Sequence, residues 1–499
     1  MRLLRNLMKE KYKENLILVL IFLLVLASRL YFVFQTPYFN NDGYLNYGLV
    51  SHISETGKPL LFDQLSYNGR DLLYSPLFHY ILAFFDLFLP LDFVLKVIPS
   101  IFISLLVFVV YSLSFIFVKD KNLSLFIALL SGFVPIVFIK TLNNISVYTL
   151  VLPLTFYLLY LLIKIKEKGN LNKFVIFCFF LALLHPSAFL FLIALSFFII
   201  LSVNEDFNTD KLKKEVILLS LCIILFIEFL IYKKAFIAHG IDVVRTNVPV
   251  QFLTSYFNLD LLGDISKVGA LIIVFGLSGI ILGWKKKQEE IFLLSSLILA
   301  TLILLGLRLI RPDIGLMFLS IALVIFSGIT FQVILKYFDI TKFSKYKKLF
   351  TSIFVLILIA SLILPTFLGA ANNITYETPT EYELLVLNWI KENALPDVTV
   401  LAPIEKGYVI TVIANKRNVI DSNFLLAPDT SERFKDVTTI YSTKSEVEAL
   451  ELLNKHNVDY IFVPVEAEIK FGKVTWLNDK SCFEGLFFGT PEIYKIICK

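Results

Sequence analysis

Asp42 lies in a stretch, Asn40 to Pro90, where acids, amides, tyrosines and glycines collect in a chain that is otherwise mostly apolar. A lone carboxylate there can take a proton from an attacking hydroxyl. An aspartate before Gly43 is also the residue type that caps a helix N-terminus, and local chemistry alone favours the cap. Arg308 and Arg311, in RLIRPDIG near the end of an apolar run, have the planar donor fork that grips a phosphate. Snorkelling to lipid headgroups explains them equally well, and Asp313 is close enough to pair with Arg311. His185, before Pro186, offers a general base or a metal ligand, although a lone histidine is more often structural. Glu228 sits inside an apolar run, where a carboxylate is expensive to keep.

These residues are separated by runs that only a bilayer explains. The 499 residues are 57% hydrophobic and 17% charged, well away from the roughly half apolar and quarter charged usage of soluble domains. Apolar runs of about 20 residues match the bilayer thickness. Basic residues fall in short loops between these runs and form no patch, which excludes nucleic acid as a partner. Five basic residues precede the first run, Leu16 to about Gln35, and should hold the N-terminus in the cytoplasm. The external loop 36–92 then lies outside. Its apolar piece Pro76–Leu89 is short for a crossing and reads as interfacial or re-entrant.

His185-Pro186 interrupts about thirty apolar residues, since proline breaks or kinks a helix interior. Reading two segments there keeps the eleven lysines of DKLKK, WKKK and KYFDITKFSKYKK inside. The total is about eleven crossings. From residue 370 the composition changes to frequent charges. Thr378-Pro-Thr-Glu381 reads as a capping box, VTVLAP, RNVID and VDYIFVP as strands, and KSEVEALELLNKH as an amphipathic helix. The expected fold class is an α-helical polytopic membrane protein, residues 1–369, with a small C-terminal extracytoplasmic α/β domain, residues 370–499. Cys482 and Cys498 can form one disulfide if that tail is outside. The cysteine spacing matches no zinc site. Asn144-Ile-Ser146 and Asn373-Ile-Thr375 are glycosylation sequons on the outer side of this topology.

The order of residues in the first loop resembles the GT-C class of membrane glycosyltransferases. The matching pieces are Asp42-Gly43-Tyr44, the helix to Gly57-Lys58-Pro59, and Ser75-Pro76-Leu77-Phe78-His79-Tyr80. SGFVPIVFIKTLNN resembles the next external turn of that class, His185-Pro186 a further recurring feature, and RLIRPDIGLMFLSIALVIFSG the segment whose arginine contacts the lipid phosphate. LAPIEKGYVITVIANKRNVIDSN is similar to the region around the acceptor motif of oligosaccharyltransferase catalytic subunits. Dolichyl-phosphate-mannose protein mannosyltransferases are related to the same class.

The resemblance implies an inverting transfer from a polyprenyl (dolichyl) phosphate sugar to a glycan or protein acceptor at the extracytoplasmic face of the bilayer. Asp42 would be the base. Arg308 or Arg311, with Lys58 and His185, would serve the donor and its lipid phosphate. Asn143 and Asn144 stand in the second turn where the class has a carboxylate, with His79 and Tyr44 on the acceptor side. A divalent cation, Mg or Mn, is the cofactor the class suggests, but paired carboxylates favour such an ion and amides favour a metal-independent mechanism. Ile404-Glu405-Lys406-Gly407-Tyr408 replaces the acceptor-sequon motif. A transporter or flippase of lipid-linked glycans, or a catalytically inactive relative, are the competing functions. The sequence shows no inverted repeat of broken helices to favour transport.

Overall fold

In the computed structural model the described residues are 2–207, 209–258, 260–342, 344–487, 489 and 491–498; for residues 2–11, 241, 242, 244, 254, 255 and 261 only the backbone is described. Asp242, Leu261 and their neighbours therefore enter below only as backbone.

The apolar runs form helices. In chain order these are α1 (Arg2–Val33), α2 (Gly43–Thr56), α3 (Leu77–Asp86), α4 (Leu91–Ser104), α5 (Leu106–Val118), α6 (Lys121–Gly132), α7 (Pro135–Lys140), α8 (Tyr148–Ile163), α9 (Asn170–Leu184) and α10 (Ala188–Asn204). After them come α11 (Lys211–His239), α12 (Val250–Tyr256), α13 (Leu261–Val268), α14 (Ala270–Trp284), α15 (Glu289–Gly306), α16 (Pro312–Ile340) and α17 (Lys347–Glu377). Among the described residues six helical stretches are long and apolar enough to cross a membrane, or seven if α13 and α14, bent by 77° at Gly269, make one span. α3, α6, α8, α9 and α10 are apolar but shorter. The helical core is continuous: α16 is its most buried member, and Gly279 lets α14 close on it, since a Cβ there would lie 2.0 Å from the Phe326 carbonyl oxygen.

His185 is extended, at φ −169°, and ends α9 at Leu184. α17 continues to Glu377, beyond the apolar run. That displaces the capping box by two residues: Thr380 caps α18 (Glu381–Asn393), with Glu383 reaching back to the Thr380 N–H at 2.8 Å. Thr378 instead donates to Ile374 O inside the extended helix.

Beyond α18 the chain builds a five-stranded sheet. Its members are β3 (Thr399–Leu401), β4 (Arg417–Asn418), β5 (Val458–Val463), β6 (Phe483–Phe487) and β7 (Glu492–Ile496), in the order β4-β3-β5-β7-β6. β3 runs parallel to β4 and β5, as crossover helices require, whereas β7 is antiparallel to β5 and β6. A disulfide joins Cys482 to Cys498 beside this antiparallel edge. In the first loop, β1 (Phe62–Asp63) pairs with β2 (Arg70–Asp71).

The sheet region is packed against the first loop and the helices. Tyr67 from the first loop and Val248 from the 233–267 loop are buried in the same apolar cluster as Leu401, Phe424 and Ile461. Val386, Ile390, Val400 and Tyr408 join the main cluster of the helical part.

Candidate functional site

Asp42 precedes α2, but its carboxylate caps nothing. The residue is itself right-handed, φ −67° and ψ −24°, and its side chain makes no capping hydrogen bond. A cap residue usually adopts extended backbone, which turns its side chain back on the first turn. The side chain is exposed, and its Oδ1 lies 3.5 Å from Ser422 Oγ of the sheet region. Ser422 Oγ in turn lies 3.4 Å from the Tyr408 hydroxyl.

The backbone around Asp42 is held by amides from three segments. Asn40 N donates to Asn143 O at 3.0 Å, Asn143 Nδ2 to Tyr38 O at 2.6 Å, Asn40 Nδ2 to Asn373 Oδ1 at 2.9 Å, and Asn41 N to Glu377 O at 2.9 Å. Asn143 is left-handed, φ 55°, a conformation asparagine tolerates better than most residues. Gly43 packs beside this turn, where a Cβ would sit in ordinary contact with Asn144 backbone atoms at 3.4 Å. Arg29, fully buried in α1, fastens the turn from below by donating to Thr141 O at 2.8 Å and to Thr141 Oγ1 at 2.9 Å.

Asp42 acts electrostatically on Arg311. Its guanidinium holds Asp313 through two hydrogen bonds, of 3.2 and 2.8 Å, and lies 5.3 Å from the centre of the Tyr256 ring. The side chain keeps 39% of its surface accessible. Burial works to lower its pKa, but Asp313, the Tyr256 phenol and Asp42 outweigh it and hold the guanidinium above its ordinary value. Asp42 also acts on Tyr256 and Tyr408. Burial pushes both phenols up, so they are neutral hydrogen-bond donors and not bases. The sequence-predicted carboxylate and one of the two predicted guanidiniums are therefore within electrostatic range of each other.

The other expected residues fall into two groups. His185 connects to Arg311 through partners: its Nδ1 is 2.8 Å from Ser187 Oγ, which lies 3.3 Å from the Tyr148 hydroxyl, and Tyr148 is within electrostatic range of Arg311 and Asp313. Arg308 is exposed and left-handed at φ 56°, its N–H donates to Leu305 O at 3.0 Å, and its side chain makes no ion pair or hydrogen bond among the described residues. Lys58 lies beyond the far end of α2, about 20 Å from Asp42 by helical rise. Tyr44 is buried against Phe39 and Tyr47, and His79 Nε2 is bound to Asn46 Oδ1 at 2.9 Å. Both work in packing α2. Glu228 is 1% exposed, with no partner for either carboxylate oxygen among the described residues; Lys234 pairs with Asp71 instead.

The sequon residue Asn373 is 8% exposed inside α17 and serves Asn40, so it is no glycan acceptor. Sequence reasoning passed over Ser422 and Tyr256, which are ordinary residues in type and bring no motif of their own.

Beside Asp42 the described residues offer a divalent cation few ligands, since Asp313, the other carboxylate at Arg311, is engaged by its guanidinium. Asn143 and Asn144 have side-chain oxygens without partners, but both are sealed from a water-sized probe. Mg or Mn keeps several waters of its own, and Asp42 is a single carboxylate already in the field of a guanidinium. A cluster of Glu446, Asp479 and Cys482 lies in the sheet region, where Cys482 is tied up in the disulfide and offers no thiolate.

No family model matches this sequence, and no curated protein matches it. Solved structures do. The chain superposes on the oligosaccharyltransferase AglB from Archaeoglobus fulgidus, solved with an inhibitory peptide and a dolichol-phosphate, with a TM-score of 0.71 at 14% identity over 95% of this chain and 73% of that one. ArnT from Cupriavidus metallidurans gives a TM-score of 0.60 at 10% identity, covering 97% and 98% of the two chains. The mycobacterial arabinofuranosyltransferase AftD gives 0.54 at 12% identity, over 96% of this chain and 41% of that one. All three are GT-C glycosyltransferases, and this multi-pass chain has their fold.

Proposed function

We propose that this protein is a membrane glycosyltransferase that moves a sugar from a polyprenyl (dolichyl) phosphate donor to a hydroxyl of a lipid-linked glycan or surface protein. The observation that supports this reading is that Asp42 lies within electrostatic range of Arg311 in a chain with the GT-C fold. Asp42 would take the proton of the acceptor hydroxyl. The oxygen then bonds to the anomeric carbon from the face opposite the phosphate, the bond from that carbon to the phosphate oxygen breaks, and the configuration inverts. Arg311, charged at any physiological pH, would stabilise the charge on the departing lipid phosphate. Arg308, whose side chain is exposed and without a partner among the described residues, would add a second positive charge. No step requires a metal.

The site would open at the extracytoplasmic face, with residues 370–499 on that side as a separate domain and the N-terminus in the cytoplasm. Eleven crossings result when the long helices, the bent pair taken as one, and the shorter helices other than α3 each span once. Lys406 stands in the segment that replaces the acceptor-sequon motif. It is 1% exposed and locked to Glu383 at 2.9 Å and Glu466 at 3.0 Å, so it presents nothing to a peptide.

Purified protein in nanodiscs, given polyprenyl-phosphate hexoses and lipid-linked glycans, should transfer sugar, and Asp42→Asn should abolish transfer while leaving folding intact. A fully active Asp42→Asn enzyme removes Asp42 from the mechanism and this reading with it.

A further inference from the structure

The carboxylate of Asp42 is oriented by a device that comes from the other end of the chain. Ser422 is 380 residues away in sequence, and its hydroxyl sits between Asp42 Oδ1 and the Tyr408 hydroxyl. One hydroxyl has one proton to give. Ser422 Oγ is the donor in both contacts, so the Asp42 carboxylate, an acceptor only, competes with the Tyr408 oxygen for that proton. The three groups lie in a row, phenol, serine and carboxylate. The Ser422–Asp42 distance of 3.5 Å is longer than an ordinary O–H···O hydrogen bond, as catalytic contacts often are before substrate binds. Among the described residues Oδ2 of Asp42 has no hydrogen-bond partner and is left for the acceptor.

Ser422 has no freedom to wander, because its neighbour is the most heavily bonded carboxylate of the sheet region. Asp421, 0% exposed, accepts from Arg70 at 3.1 Å, Ser66 Oγ at 2.6 Å, Asn418 Nδ2 at 3.3 Å and Asn423 N at 3.0 Å. Arg70 and Ser66 belong to the first loop, as does Tyr67, whose hydroxyl donates to Asp421 O at 2.7 Å. Arg70 also donates to Asn423 O. The strap 418–423 is thus clamped on both sides of Ser422 to the loop that carries Asp42. Its clamp is fully desolvated, so its geometry is fixed more firmly than that of a surface contact.

We propose that Ser422 is a positioning residue for Asp42, backed by Tyr408, and that the C-terminal region completes the catalytic site by being clamped to the first loop through Arg70 and Asp421. The proposal rests on the reading of Asp42 as the base. Orientation of a base acts on the chemical step and not on donor capture, so its loss appears in kcat with KM unmoved.

The test is steady-state transfer by the full chain in nanodiscs, with a panel of undecaprenyl- and dolichyl-phosphate hexoses as donors. Ser422→Ala should lower kcat about 10- to 100-fold with donor KM unchanged, the range expected for one hydrogen bond to a charged group. Ser422→Thr, which keeps the hydroxyl, should restore kcat to within a few-fold, and Tyr408→Phe should give a smaller loss of the same kind. An unchanged kcat in Ser422→Ala, a rise in KM alone, or a loss that threonine does not repair would overturn the positioning role. Asp42→Asn in the same assay separates the two ideas. Its inactivity beside an unaffected Ser422→Ala removes only the positioning role, whereas its full activity removes both.

Discussion

Asp42 shows how a residue's role can be decided by its own backbone. The sequence left it between base and helix cap, and an αR conformation with no capping bond releases the carboxylate from the helix. Arg311 is the guanidinium within its electrostatic range, and it divides its donors between Asp313 and the open side. Arg311→Lys should retain a minority of turnover and Arg311→Met almost none, because an ammonium supplies charge without the planar fork. Equal activity in the two variants, measured as kcat on one donor, would show that the fork is not used. Asp42 and Arg311 stood out as candidates in the sequence because their types are unusual beside apolar runs. Ser422 did not, because a serine in a polar segment signals nothing until the fold brings it across 380 positions.

At the scale of elements, the legible features were those with a local cause. Pro186 stops α9 and α10 from merging, and the proline and apolar spacing around it said so. The bend at Gly269 was not visible, since a glycine inside an apolar run fits a straight helix equally well. The capping box was displaced because α17 continues eight residues past Gly369 to Glu377 to supply the carbonyl that Asn41 needs.

The Arg70–Asp421 clamp leads to a prediction about elements rather than chemistry. Asp421→Asn leaves the Arg70 guanidinium buried without its counter-charge, and breaking a buried pair in this way costs about 3–5 kcal/mol. The C-terminal region should then be cut by low protease concentrations that spare the parent protein, while the membrane helices stay intact. Equal protection of the two proteins would show that the pair does not hold the strap. His456 adds a pH dependence to the same region. Burial holds its pKa below the ordinary value of 6.5, even though the Asp436 hydrogen bond works to raise it. A histidine that is neutral in the fold and protonated when unfolded stabilises fully above pH 6.5, and that stability is lost as pH falls toward the folded value. Thermal unfolding of the C-terminal region should fall from pH 7.5 to 5.5, and His456→Gln should flatten the slope; an unaltered slope would place the titration elsewhere.

For the molecule as a whole, the apolar runs announced a polytopic helical protein, and the shared fold with AglB, ArnT and AftD follows from how those helices pack. The antiparallel pair β6–β7 was not foreseen, because Phe483–Ile496 mixes apolar and charged residues without clean alternation. What the sequence argued only from lysines was sidedness, and the structure supplies places to test it. Gly472 lies in an exposed turn with nothing within 4 Å of where a Cβ would sit, so a specific protease site inserted after it should leave the sheet undisturbed. Lys285–Lys287, exposed between α14 and α15, accepts the same insertion. If the positive loops face the cytoplasm, protease added to intact cells should cut at Gly472 and leave the lysine loop whole until the membrane is permeabilised. The reverse pattern would place Asp42, clamped to the strap 418–423, on the cytoplasmic side. It would then require the sugar donor to be presented from there, because the clamp does not allow the site and the C-terminal region to be on opposite faces of the bilayer.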